Sequence, residues 1–232
     1  MKTEAYAFFD VDDTLIRIKS MFSFYRFWCL DVFGDSKKLE EFEGHFSEMR
    51  KAGKSREELN RAYYRCFSGV SAMDLTVAAE TWATRMLSNP KPLFFDEVVQ
   101  EMRALSENGI APVFVSGSFP GLLQPIANHL NVKHILSTQM ELNSARSFYS
   151  GEISDPQTIG QGKAVAITQF LQHHNCMASD CHAFGDDISD RAMLEAVGFP
   201  HVVGANTDLS KVALMKGWPI VDVTLQNDTV PA

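Results

Sequence analysis

AYAFFDVDDTLIRI, residues 5–18, decides how the chain is read. Its first five residues are an unbroken apolar run, the mark of a strand buried on both faces. Three carboxylates, Asp10, Asp12 and Asp13, follow at once. Crowded like charges raise one another's pKa and oppose folding unless a cation or a chemical task offsets the repulsion.

Outward from that run, strand and helix patterns alternate. IAPVFVSGS from Ile110 reads as a second strand, preceded by the helical FFDEVVQEMRALSENG with Gly109 as its stop. PGLLQPIANHLN is then a helix, HILSTQMEL a strand and SARSFYSGE a small hairpin or turn. GKAVAITQFLQHH is a helix, CHAFGD a strand and SDRAMLEAV a helix, and HVVG and PIVDV close the series as strands around TDLSKVALMKG. The alternation predicts an α/β fold, a Rossmann-like parallel sheet with helices on both faces. Functional sites of such sheets lie at the carboxyl ends of the strands, where Asp10, Ser116 and Asp186 fall.

Between the first two strands lie about ninety residues, far more than one crossover requires. MFSFYRFWCLDVFG, SKKLEEFEGHFSEMRKAG, SREELNRAYYRCFSG and SAMDLTVAAETWATRMLS each carry helical spacing of apolar positions, punctuated by Gly or Ser. They predict a helical cap over residues 19–89, inserted in a core of residues 1–18 and 90–232. Phe22, Phe24, Tyr25, Phe27 and Trp28 are read as packing residues of that cap.

Composition narrows the function. Of 232 residues, 45% are hydrophobic, enough for a full core, and 21 basic against 29 acidic residues give a net charge of -8. No basic run suggests nucleic acid as a partner, and a small metabolite or a metal fits better. No apolar stretch approaches the roughly 20 residues of a membrane helix, and the N-terminus lacks a leader pattern. Four dispersed cysteines, Cys29, Cys66, Cys176 and Cys181, predict reduced thiols and a cytoplasmic setting. HHNCMASDCHA offers His173, His174, Cys176, Cys181 and His182, but without the paired spacing of a structural zinc site it is read as a helix end and connection.

Four motifs gather at one sheet edge: DVDDT at Asp10, SGS at Ser116, GK at Lys163 and GDDISD at Asp186. A carboxylate can displace an alcohol from a phosphate monoester, and water then hydrolyses the aspartyl-phosphate. Asp10 suits the nucleophile. Asp12, two residues on along an extended segment, suits general acid and then base. Ser116 and the amides of Gly117 and Ser118 would donate to phosphoryl oxygens, Thr14 would add a hydroxyl near them, and Lys163 would neutralise their charge. IGQGKA has part of a P-loop pattern but lacks Gly at Gln157 and Ser or Thr at Ala164.

In this order, and with a helical insert after the first, the motifs resemble the haloacid dehalogenase superfamily of phosphatases, most closely the phosphoserine phosphatase-like subfamily IB. AFGDDISDRAMLEAVGFPHVVGANTDLSKVALMKGWPIV extends the resemblance over nearly the whole chain. It implies Mg²⁺ held by Asp10, the Asp12 backbone carbonyl and Asp186, with Asp190 and Asp187 orienting metal water or Lys163. Phosphoserine phosphatases carry a Glu nine residues after the nucleophile to bind the substrate ammonium, and here that position is Lys19. The resemblance therefore implies that phosphoserine is a poor substrate. Lys19 either points to solvent or, with Arg61 and Arg65, meets an anionic group of the substrate. A phosphomutase shares the paired aspartates. A receiver domain lacks the Asp12 acid and has no room for a cap, and a dehalogenase needs neither metal nor second acid.

Overall fold

The computed structural model of the chain describes residues 5–145 and 147–223. In β1 (Ala5–Phe9), Tyr6 and Phe8 enter one apolar cluster while Ala7 and Phe9 enter another. That period of two, with no solvated face, is what AYAFF requires of a central strand. β2 (Ile110–Ser116) and β3 (His134–Ser137) extend the sheet on one side. β4 (Met140–Leu142) and β5 (Tyr149–Ile153) pair antiparallel in a small separate sheet. On the other side of β1 come β6 (His182–Gly185), β7 (Phe199–Val203) and β8 (Ile220–Val221). The main sheet has six strands in the order β3-β2-β1-β6-β7-β8, and its pairings are all parallel. Its strand order reverses between β1 and β6, which opens a crevice where Asp10 and Asp186 emerge.

HILSTQMEL is therefore two strands. After Ser137 the chain leaves the sheet: Thr138 N makes the last ladder bond, to Ser116 O at 3.3 Å, while its buried hydroxyl accepts from Thr158 N at 3.1 Å.

α1 (Ser20–Phe27), α2 (Ser36–Lys51), α3 (Arg56–Arg65) and α4 (Ala72–Leu87) occupy the insert. Their starts follow the sequence: Asp35, Ser55 and Ser71 each accept from a backbone N–H three residues on, and Glu58 completes a capping box with Ser55. The first helical pattern does not run on as one α-helix but widens to a π turn over Trp28–Val32. The aromatics do pack. Tyr25 stacks on Phe42 with centroids 3.9 Å apart, and Phe24 lies 5.7 Å from Phe119 of the core.

α5 (Asp96–Glu107) and α6 (Pro120–His129) cover one face of the sheet through Val98, Val99, Met102, Leu122, Leu123 and Ile126. The same cluster runs on into the insert, so those four helices have no apolar core of their own. α7 (Gln161–His173), α8 (Arg191–Glu195) and α9 (Asp208–Lys216) cover the other face. Gly217, at φ 67°, closes α9 in the left-handed conformation that side chains resist. The two chain crossings into the insert run side by side: Arg17 N donates to Leu93 O at 2.8 Å, Phe95 N to Leu15 O at 3.0 Å, and the Arg17 guanidinium lies over Phe95. No helix among the described residues is long and apolar enough to cross a membrane.

Candidate active site

Adjacent strands β2, β1 and β6 deliver Ser116, Asp10 and Asp186 to one crevice, since each residue ends or directly follows its strand. α7 brings Lys163 in its first turn. Lys163 Nζ lies 2.5 Å from Asp10 Oδ1 and 2.6 Å from Asp190 Oδ1, all three side chains being buried. Burial pulls the Lys163 pKa down, but Asp10 and Asp190 outweigh it and hold the ammonium above its usual range. Gly162 is needed for closeness rather than for a P-loop: a Cβ there would sit 1.7 Å from Gln157 O. Gly185 is similarly confined, by the Asp190 side chain.

Oxygens of Asp10, Asp186 and Asp190 converge within 4.8 Å. Burial, then like charge, raises the Asp186 carboxyl to about 8. Asp10 is raised to about 6 by burial, with Lys163 opposing and Asp190 adding. Hard oxygens gathered at this cost to their ionisation suit a divalent cation such as Mg²⁺. Asp190, expected beside metal water or Lys163, is bonded to Lys163 and accepts from Asp187 N at 3.3 Å.

Asp12 is more isolated. Its Oδ2 accepts from Ser20 Oγ at 3.0 Å, whereas Oδ1 is buried and meets no hydrogen-bond partner among the described residues. Burial, then Asp10, raises its pKa to about 7, so near neutral pH the carboxyl can carry a proton. With Ser20's one proton on Asp12, Ser118 Oγ donates to Ser20 Oγ at 2.7 Å.

The Thr14 hydroxyl, expected near the phosphate, donates to Asp186 Oδ1 at 2.7 Å, with Asp10 Oδ2 at 3.4 Å, so it orients these carboxylates. Ser116 is buried, and its Oγ accepts from Ser118 N at 3.1 Å across the SGS turn. Asp13 is a turn residue with φ 60° and pairs with Lys19 at 2.6 Å. Arg61 and Arg65 form ion pairs with Asp155 and Glu152, each at 3.8 Å, and not with the aspartate cluster. Arg56, from α3, also reaches one of the motifs, 2.9 Å from Asp187 Oδ2. Burial raises Asp187, but the Ser189 N–H and Arg56 hold its carboxyl below the usual range.

Sequence reasoning missed Ser20, Arg56, Asn60 and Tyr64. Asn60 Nδ2 and Tyr64 Oη both donate to Gly117 O, at 3.0 and 2.6 Å. Two buried polar positions four residues apart on one amphipathic helix were the available signal. The His and Cys cluster separates into local contacts: His174 with Tyr6, His182 with His201, and Cys176 with Cys181 at 3.4 Å.

A family model for haloacid dehalogenase-like hydrolases matches residues 7–195. A probable phosphatase of Mycobacterium tuberculosis is 28% identical over 231 residues, covering 97% of this chain and 79% of that protein. An inhibition of morphological differentiation protein of Streptomyces azureus is 27% identical, over 93% of this chain and 77% of its own. A solved Bordetella pertussis protein of unknown function shares the fold with a TM-score of 0.83 at 22% identity, covering 95% of this chain and 99% of its own. A substrate-bound phosphoserine phosphatase does so with a TM-score of 0.65 at 14% identity, covering 96% and 94%. With the family match running through most of the chain and its motifs converging on one crevice, the protein belongs to the haloacid dehalogenase-like hydrolases.

Proposed function

We propose that the protein is a phosphomonoesterase that hydrolyses a small phosphorylated metabolite through an aspartyl-phosphate on Asp10. The observation that carries this reading is Asp12 Oδ1, buried and without a hydrogen-bond partner among the described residues. A free carboxyl oxygen there has a task only if a reacting group arrives to use it. The relative named as a probable phosphatase supports the same reading.

Asp10 attacks the phosphorus with one carboxylate oxygen while Asp12 gives its proton to the leaving alkoxide. Asp12, now ionised, takes a proton from water as that water attacks the phosphoryl group and restores Asp10. Ser116 and the amides of its turn donate to phosphoryl oxygens, and Lys163 balances charge while keeping Asp10 in place. Asp10, the Asp12 carbonyl and Asp186 would hold Mg²⁺, with Thr14 orienting the carboxylates. That ion would supply the positive charge that lets an anionic nucleophile approach an anionic phosphate. Residues 19–89 form the cap in this reading, hinged where Leu15–Arg17 and Leu93–Phe95 cross. Unpaired cysteines accord with a cytoplasmic enzyme.

Phosphate release from a panel of phosphorylated amino acids, sugars, cholines and nucleotides tests the proposal. Turnover should need a divalent ion and fall about 10²- to 10⁴-fold in Asp12→Asn. A protein that releases phosphate from none of them, or is indifferent to Asp12→Asn, is not this enzyme.

A further inference from the structure

We propose that Asn60 and Tyr64 are positioning residues through which the docked cap completes the phosphate cradle, an inference that rests on the phosphatase reading above. The Gly117 carbonyl accepts from Tyr64 Oη at 2.6 Å and from Asn60 Nδ2 at 3.0 Å. Both donors come from α3, so cap side chains fill both lone-pair positions of a core carbonyl. The same rigid peptide unit carries the Ser118 N–H, which donates to Ser116 Oγ. Turning the carbonyl turns that N–H, and with it the geometry of the SGS turn.

The amide orientations are forced. Glu57 O and Gly117 O can only accept, so Gln157 Nε2 donates to Glu57 O at 3.0 Å and Asn60 Nδ2 to Gly117 O. Gln157 Nε2 also donates to Asn60 Oδ1 at 2.8 Å. Gln157 in turn abuts Gly162, beside Lys163. One buried cap residue therefore ties together the turn that carries Ser116 and the loop that leads to Lys163. Asn60, Tyr64 and Gln157 are all buried, so these bonds are made without competing water.

A cap that only selects leaving groups predicts a different result, because orthophosphate has no leaving group. Binding of orthophosphate in excess Mg²⁺ is measured by calorimetry, well below the melting temperature of each variant. Tyr64→Phe keeps the ring and removes one bond, and Asn60→Ala removes the other; each should weaken orthophosphate about tenfold. Ser68→Ala removes a cap-to-core bond elsewhere, to Ser150 O, and should leave affinity at the wild-type value. Wild-type affinity in Tyr64→Phe and Asn60→Ala overturns the inference, and Tyr64→Phe decides alone if Asn60→Ala does not fold. Equal weakening in Ser68→Ala also overturns it, because the loss would then follow from cap docking in general. If the wild-type protein binds no orthophosphate, the functional reading falls and takes this inference with it.

Discussion

Lys163 Nζ on α7 lies 2.5 Å from Asp10 Oδ1 at the end of β1, a contact made 153 residues apart in the chain. Removing the cation leaves Asp10 and Asp190 buried without their partner. Lys163→Met should destabilise the protein by about 3–5 kcal/mol, the usual cost of breaking a buried pair from one side. Without the ammonium, the folded-state pKa of Asp10 rises further above its ordinary 3.8, so the folded state prefers the proton. The deficit should accordingly be smallest in acid and grow as pH rises above about 6, where folded wild type gives up the Asp10 proton and the folded variant still holds it. Melting temperatures at pH 4 and pH 8 check this; a deficit independent of pH would contradict it.

Asp186 makes cation binding visible in stability. In the cation-free protein its folded pKa of about 8 lies above its ordinary 3.8, so this group costs stability progressively as pH rises through that window. Mg²⁺ should raise the melting temperature more at pH 8 than at pH 5. In Asp186→Asn the Mg²⁺ shift should largely vanish and the pH slope should lessen, the raised Asp10 and Asp12 carboxyls keeping their share of it. An undiminished shift in the variant would remove Asp186 from the cation site.

His201 limits acid tolerance at a place remote from catalysis. Burial, then His182, lowers its pKa from 6.5 to about 4, and its ring stacks on Phe184 at 4.3 Å. A depressed base contributes stability that is complete above the unfolded pKa and is lost as pH falls from 6.5 toward 4. His201→Phe keeps a stacking ring without the titration, so its melting temperature should fall less between pH 7 and pH 5. A parallel fall in both proteins would show that His201 is not the titrating group.

These predictions draw unequally on the sequence. Asp10, Ser116 and Asp186 were legible because apolar runs mark parallel strands and a parallel sheet brings the residues after them to one edge. Asn60, Tyr64 and Arg56 were not, because their partners Gly117 and Asp187 are set by how α3 docks, which helical periodicity does not encode. Thr14 was placed in the right crevice, but its bond to Asp186 was not legible, since a hydroxyl's choice of acceptor depends on a rotamer. HILSTQMEL looked like one strand because Thr138 is compatible with a strand by propensity, and its buried bond to Thr158, 20 residues on, is not encoded locally.

Lys19, half exposed and bonded to Asp13, stands immediately before α1. A cation here opposes a substrate ammonium and favours a second anionic group. Phosphoserine should be a poor substrate, and Lys19→Ala should raise the KM of anionic phosphorylated metabolites more than that of p-nitrophenyl phosphate. Comparing kcat/KM across these substrates checks both statements; phosphoserine as the best substrate by a wide margin would refute them.

The covalent step is the centre of the account. The protein is mixed with an accepted phosphomonoester and Mg²⁺, quenched in acid within a turnover, and digested for mass spectrometry. One phosphoryl group should appear on the peptide containing Asp10, and hydroxylamine should release it as it does an acyl phosphate. Asp10→Asn should carry none and release no phosphate. Sustained phosphate release by Asp10→Asn, or a phosphoryl group trapped on any other residue, would contradict the account.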